Sequence, residues 1–89
     1  MALATFDFSD HVVLVTGGTK GLGRGIASAF AAAGATIAVA ARSNIDDLPP
    51  EWVFAGADLR DGDAASGMVD LVIEQVGRID CVINNAGGS

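Results

Sequence analysis

Cysteine is almost missing from this sequence: Cys81 stands alone among 89 residues, so no disulfide can close within the chain, and a reducing cytoplasm is the expected setting. No basic stretch followed by an apolar run opens the sequence, which adds to that expectation. Long hydrophobic runs are missing too. The longest uncharged stretch, Gly25 to Ala41, is rich in alanine and broken by Gly34, and it falls short of the ~20 strongly apolar residues of a membrane span. Basic charge is scarce, with 5 Lys and Arg against 11 Asp and Glu and a net charge of -6. A surface of that sign repels phosphate backbones and anionic lipid, so neither nucleic acid nor a membrane is expected as a partner.

Hydrophobic residues make up 51% of the sequence and charged residues 18%, a composition that folds rather than one that stays disordered. At this length the chain holds at most one domain or part of one. The acidity is uneven. Up to Arg42 the basic residues Lys20, Arg24 and Arg42 face only Asp7 and Asp10, and the remaining nine carboxylates lie beyond. The first half can therefore receive a small anionic ligand. The many alanines and 12 glycines of the whole sequence imply close packing of backbone on backbone.

The run Val12 to Val15 is apolar at every position, the pattern of a strand buried on both faces in a parallel sheet. After Thr16-Gly17 the period becomes helical. Leu22, Ile26, Ala29, Phe30 and Ala33 recur at three- and four-residue steps, and Gly34 supplies a left-handed stop. Ala35 to Ala41 reads as a second buried strand. Ser43 to Pro50 is too short for a full crossover helix and carries a double proline. Trp52 to Ala57 is a third strand. A second helix starts at a cap on Asp61 or Asp63, buries Ala65, Met68, Val69, Val72, Ile73 and Val76, and ends at Gly77. Cys81 to Ile83 forms a fourth strand. Alternating strands and helices with short links predict a doubly wound parallel α/β sheet of order 3-2-1-4. Its fourth strand is left at an uncovered edge, which implies missing sequence or a partner.

The segment Thr16-Gly17-Gly18-Thr19-Lys20-Gly21-Leu22-Gly23 sits where the first strand turns into the first helix. Gly17 permits the tight turn, Gly21 lets backbone approach a pyrophosphate, and Gly23 allows the helix to pack closely, the reasons a dinucleotide fingerprint needs glycines. The helix that follows offers unpaired N–H groups and a positive dipole end to phosphate. The spacing is G-x-x-x-G-x-G. A phosphate-loop reading fails, because no Lys-Ser or Lys-Thr follows these glycines.

Together with Asp58-Leu59 after the third strand and Asn84-Asn85-Ala86-Gly87 after the fourth, TGGTKGLG resembles the amino-terminal half of the short-chain dehydrogenases/reductases, from about Phe6 to Gly88. The resemblance implies a Rossmann-type fold, incomplete over residues 1–89, and an NAD(P)-dependent oxidoreductase that moves hydride between carbonyl and alcohol. It places Asp58 and the Leu59 backbone beside adenine, and Asn85, Ala86 and Gly87 along the ribose and nicotinamide. The asparagines also help to hold the central sheet together. With Gly17, Thr19, Lys20, Gly21, Leu22 and Gly23 in the turn, these residues form the expected cofactor site.

In a NAD site an acidic residue about twenty positions after the fingerprint binds the ribose 2′-hydroxyl. Here that place holds Ala41, followed by Arg42 and Ser43. Arg42 can offer a guanidinium fork to a 2′-phosphate, Lys20 is a second cation, and Ser43 can add a hydroxyl. NADP(H) is therefore expected in preference to NAD(H).

The family's catalytic serine, tyrosine and lysine lie beyond the fourth strand. This chain has no tyrosine, and its only lysine is Lys20, so the proton-transfer arrangement is not assembled and no catalytic residue is assigned. His11 and Cys81 read as structural residues. The pairs Asp46-Asp47 and Asp61-Asp63 lack a further ligand or suit a helix cap, so no metal is assigned. The resemblance implies a small carbonyl or alcohol substrate and a homo-oligomer for a full-length form, of which this sequence would be the cofactor-binding half. The alternative is a non-catalytic dinucleotide-binding module acting through a partner. A sugar-nucleotide epimerase relative fits less well, since that branch spaces its glycines G-x-x-G-x-x-G.

Overall fold

The computed structural model describes residues 7–19, 21–42, 47–56 and 62–85. The apolar run becomes β1 (Val12–Thr16), every residue of it buried. A turn leads into α1 (Gly21–Ala32), and β2 (Thr36–Ala41) follows directly. Next come β3 (Val53–Gly56), α2 (Gly62–Val76) and β4 (Cys81–Asn84). The four strands form one parallel sheet in the order β3-β2-β1-β4, as expected from the alternation of elements. Gly34 and Gly77, at φ of 99° and 92°, end the two helices in the left-handed conformation that only glycine adopts without strain.

Strand side chains alternate between two cores. Leu14, Ala38, Ala40 and Ala55 pack beneath Met68 and Val72 of α2. Val13, Val15, Ile37 and Val39 face α1 through Ala27. Each fully buried Val, Leu or Ile contributes roughly 1.5–3 kcal/mol relative to exposure, and the absence of polar side chains on these rows lets the sheet bury both faces. Between β2 and β3 the described residues 47–52 form turns and no helix. Leu48 and Trp52 instead pack on the α1 face of the sheet.

The helix faces follow the periodicity at Phe30 of α1 and at Met68, Val69, Val72 and Val76 of α2, and depart from it at three positions. In α1 the buried residues are Gly23 and Ala27, whereas Leu22 is 74% exposed and Ala29 is exposed. The first turns of the helix sit so close to the sheet that small residues form the inner face there, where hydrophobic periodicity has little weight, and Phe30 takes over further along. In α2 Met68 and Val72 are buried, while Ile73, expected in the core, is exposed. Asp63 falls inside the first turn of α2, where its charge complements the helix dipole, and Asp61 lies outside the described residues.

β4 occupies the open edge of the sheet, with Val82 53% exposed. Its starting end is tied to β1. The Asp80 amide donates to the Val12 carbonyl at 2.9 Å, and the Val12 amide donates to Asp80 Oδ2 at 2.7 Å. Arg78 Nε donates to the same carboxylate oxygen at 2.9 Å, and its terminal nitrogen reaches the Asp10 carbonyl. The Val12 amide first, and the Arg78 hydrogen bond second, hold the Asp80 carboxyl below its ordinary pKa. A group depressed on folding stabilises the fold above its unfolded pKa and loses that contribution as pH falls through the folded value. The difference in Tm between the parent chain and Asp80→Ala should therefore be constant above about pH 5 and shrink below about pH 4. A difference that does not change down to pH 3 would exclude the linkage.

Candidate functional site

In a parallel sheet all strand carboxyl ends lie on one side. In the order β3-β2-β1-β4, β1 is flanked by β2 and β4, so the connections diverge at its carboxyl end. Open α/β sheets bind ligands in the crevice at such a switch point. Thr16, the last residue of β1, lies in register with Ala40 of β2 and Asn84 of β4. The glycine-rich turn leaves from this point. The Gly17 amide donates to the Ala40 carbonyl at 2.7 Å, extending the β1–β2 ladder by one bond before the chain turns away.

The turn is shaped by four glycines in different ways. Gly17 and Gly21 have φ of 68° and 63°, so both bends need a residue without a Cβ. A Cβ on Gly21 would have no atom within 4 Å, which leaves open space in front of its backbone. A Cβ on Gly23 would stand 2.3 Å from the Gly17 carbonyl oxygen and 2.6 Å from Asn85 Nδ2. The close contact expected at Gly23 is thus with the turn and with the segment after β4 rather than with the sheet. Contact with the sheet falls to Gly18, whose Cβ would lie 2.6 Å from Val39 Cγ1. Thr19 is buried in the same turn.

A hydroxyl links the turn to β4. Thr16 Oγ1 accepts the Asn85 amide at 2.8 Å and lies 3.1 Å from Asn84 Oδ1 and 3.3 Å from the Ile83 carbonyl, to one of which it donates. This buried side chain fixes where the backbone of Asn85 leaves the sheet, facing the start of α1. Thr16 was legible only as the polar end of an apolar run, and the sequence reading left its hydroxyl without a role.

Of the expected site residues, Gly17, Thr19, Gly21, Leu22, Gly23 and Asn85 come together at the carboxyl ends of β1 and β4. Leu22, exposed at the first turn of α1, projects from this end of the molecule. Arg42 directly follows β2 at the same end and is exposed, and no carboxylate occupies the last position of that strand. Lys20, Ser43, Asp58, Leu59, Ala86 and Gly87 lie outside the described residues. Among the described residues no helix is long and apolar enough to cross a membrane.

The assembled groups are donors and space: a helix start, a turn lacking side chains, and a cation one strand away. They suit a phosphate-bearing ligand laid across the end of β1. The pattern is shared with known proteins. The chain is 36% identical to an uncharacterized oxidoreductase, MT0954, of Mycobacterium tuberculosis, an alignment covering 100% of this chain and 37% of that protein. It is 34% identical to an L-fucose dehydrogenase of Bos taurus, covering 98% and 34% respectively. The crystal structure of 2-keto-3-deoxy-D-gluconate dehydrogenase from Streptococcus agalactiae superposes with a TM-score of 0.80 at 34% identity, over 93% of this chain and 35% of that one. The chain thus spans about a third of the length of these relatives. The family model for short chain dehydrogenase matches residues 11–89, which include the glycine turn, the strand order and the Thr16–Asn85 link, and the chain belongs to that family.

Proposed function

We propose that the chain binds NADP(H) at the carboxyl ends of β1 and β4 and serves as the cofactor-holding part of an oxidoreductase that interconverts a carbonyl and an alcohol. The observation that carries this reading is the turn itself. Gly21 leaves its backbone open to solvent at a helix start, while Gly23 is closed against Gly17 and Asn85. The open backbone stands at a helix start beside the switch point of the sheet, where a phosphate can reach it. Bound there, the nicotinamide would supply the hydride acceptor or donor. Gly17, Thr19, Gly21, Leu22 and Gly23, with Lys20, would hold the pyrophosphate side. Asn85, with Ala86 and Gly87, would line the ribose and nicotinamide, and Asp58 and Leu59 the adenine.

Arg42, with Lys20 and Ser43, would receive the 2′-phosphate. A carboxylate at the end of β2 would repel that group, and this strand ends on Ala41. A small carbonyl or alcohol substrate and a homo-oligomeric assembly of a full-length form belong to the proposal through the family, and a cytoplasmic setting through the single cysteine. Calorimetric titration of the chain with NADPH and NADH, repeated on Arg42→Ala, tests the cofactor preference. Loss of a charge-assisted contact should weaken NADPH roughly ten- to a hundredfold and leave NADH nearly unchanged. Equal losses for both would refute the preference.

A further inference from the structure

Arg24 breaks a local rule. It stands in the first turn of α1, which carries no acidic residue, and a cation at that end opposes the helix dipole. Its guanidinium is turned away from the helix axis onto one residue of the β2–β3 link. One terminal nitrogen donates to Asp47 Oδ1 at 2.7 Å, and the other donates to the Asp47 main-chain carbonyl, also at 2.7 Å. The Arg24 side chain is 27% exposed and that of Asp47 is 77% exposed. An ion pair so open on one side contributes little to stability. Its second bond, to backbone, does something a charge pair alone does not: it fixes the position of the chain at Asp47.

That position matters because the link has little else to locate it. Residues 47–52 form no helix, and Leu48 and Trp52 are their apolar anchors on the sheet. Asp47 follows Arg42 by five residues, which span at most about 18 Å when fully extended. Anchoring Asp47 to the first turn of α1 therefore sets, within that reach of Arg42, a fixed point on the side of the sheet where the glycine turn begins.

We propose that Arg24 is a positioning residue for the adenosine-ribose end of the dinucleotide site, acting through Asp47, five residues after Arg42, to hold residues 47–52 against the start of α1. This rests on the dinucleotide reading of the site, not on the NADP preference. The alternative roles of Arg24 separate by sign. If it served the ligand by charge alone, Arg24→Ala would disfavour NADPH, Asp47→Ala would favour it by removing a nearby negative charge, and Arg24→Lys would leave it unchanged. A positioning role moves all three variants in one direction, since lysine presents a single nitrogen and cannot span both Asp47 oxygens.

The experiment is calorimetric titration of the 89-residue chain and the three variants with NADPH and with NADH, read as the ratio of the two Kd values. Global loss of folded protein scales both cofactors alike and leaves the ratio unmoved. The expected result is a shift of about three- to tenfold in the same direction for Arg24→Ala and Asp47→Ala, with Arg24→Lys following them. Opposite shifts in the two alanine variants, or an unmoved ratio in both, would overturn the proposal. A parent chain that prefers NADH refutes the NADP assignment while a common shift still upholds the clamp. A parent chain that binds neither cofactor overturns both.

Discussion

Gly23→Ala should cost the chain both stability and cofactor, and it should do so with a single methyl group. The added Cβ would meet the Gly17 carbonyl oxygen at 2.3 Å and Asn85 Nδ2 at 2.6 Å. The Gly17 oxygen is backbone, held by the hydrogen bond from its own amide to the Ala40 carbonyl and by a left-handed conformation, so it cannot give way as the Asn85 side-chain end can; the Asn85 backbone N–H is itself tied to Thr16 Oγ1. Relief requires the first turn of α1 to move off the sheet, where Ala27 is wholly buried. Overpacking of this kind costs typically 1–3 kcal/mol, and in a domain of this size that is a fall in Tm of about 4–24 °C.

Gly25→Ala is the control, two residues along the same helix. A Cβ there meets nothing within 4 Å, and alanine in a helix is favoured over glycine by roughly 0.5–1 kcal/mol. Tm should therefore rise in one variant and fall in the other, and NADPH affinity should drop only in Gly23→Ala. A Gly23→Ala chain as stable as its parent would mean that the contact between turn and helix is slack, and the close-packing account would go with it.

The contrast between these two glycines shows where sequence reading stops. That the segment from Thr16 to Gly23 turns a buried strand into a helix was legible, because the period of apolar residues changes there and glycine accumulates. Strand order was legible for the same reason, through the alternation of elements and their short links. Which glycine does what was not. Gly18 packs on Val39, Gly23 on Gly17 and Asn85, and Gly21 on nothing. These are long-range distances that no local pattern encodes.

The offset of α1 has a related origin. The buried residues of its inner face are Gly23 and Ala27, nearly silent on a hydrophobic scale, with Phe30 packed beside them, while Leu22, counted in the periodicity, is exposed. The clamp between Arg24 and Asp47 spans 23 residues and left only one local trace, a cation where a helix start disfavours it. Thr16 was equally opaque, since a hydroxyl at a strand end is as consistent with a turn as with a bond across the sheet.

Purified chain, given NADPH and a panel of ketones and aldehydes, should consume no cofactor above the uncatalysed background. Hydride transfer to a carbonyl needs a proton delivered to its oxygen and a substrate held in line, and proton transfer by a placed side chain is worth typically 10²–10⁴-fold. The sequence contains no tyrosine, and its single lysine, Lys20, belongs to the glycine turn. The chain's one histidine, His11, and one cysteine, Cys81, are the other side chains a proton donor would be sought among. Both stand at the wrong end of the sheet. His11 precedes β1, its ring 5.3 Å from that of Phe8, and Cys81 begins β4. The candidate site lies at the carboxyl ends of the same strands, about 13 Å away along a five-residue strand at ~3.3 Å per residue. No side-chain motion closes that distance. Turnover that persists after contaminating reductases are removed, and that survives in His11→Ala, would show that a proton donor has been misplaced; loss of turnover in His11→Ala would name it.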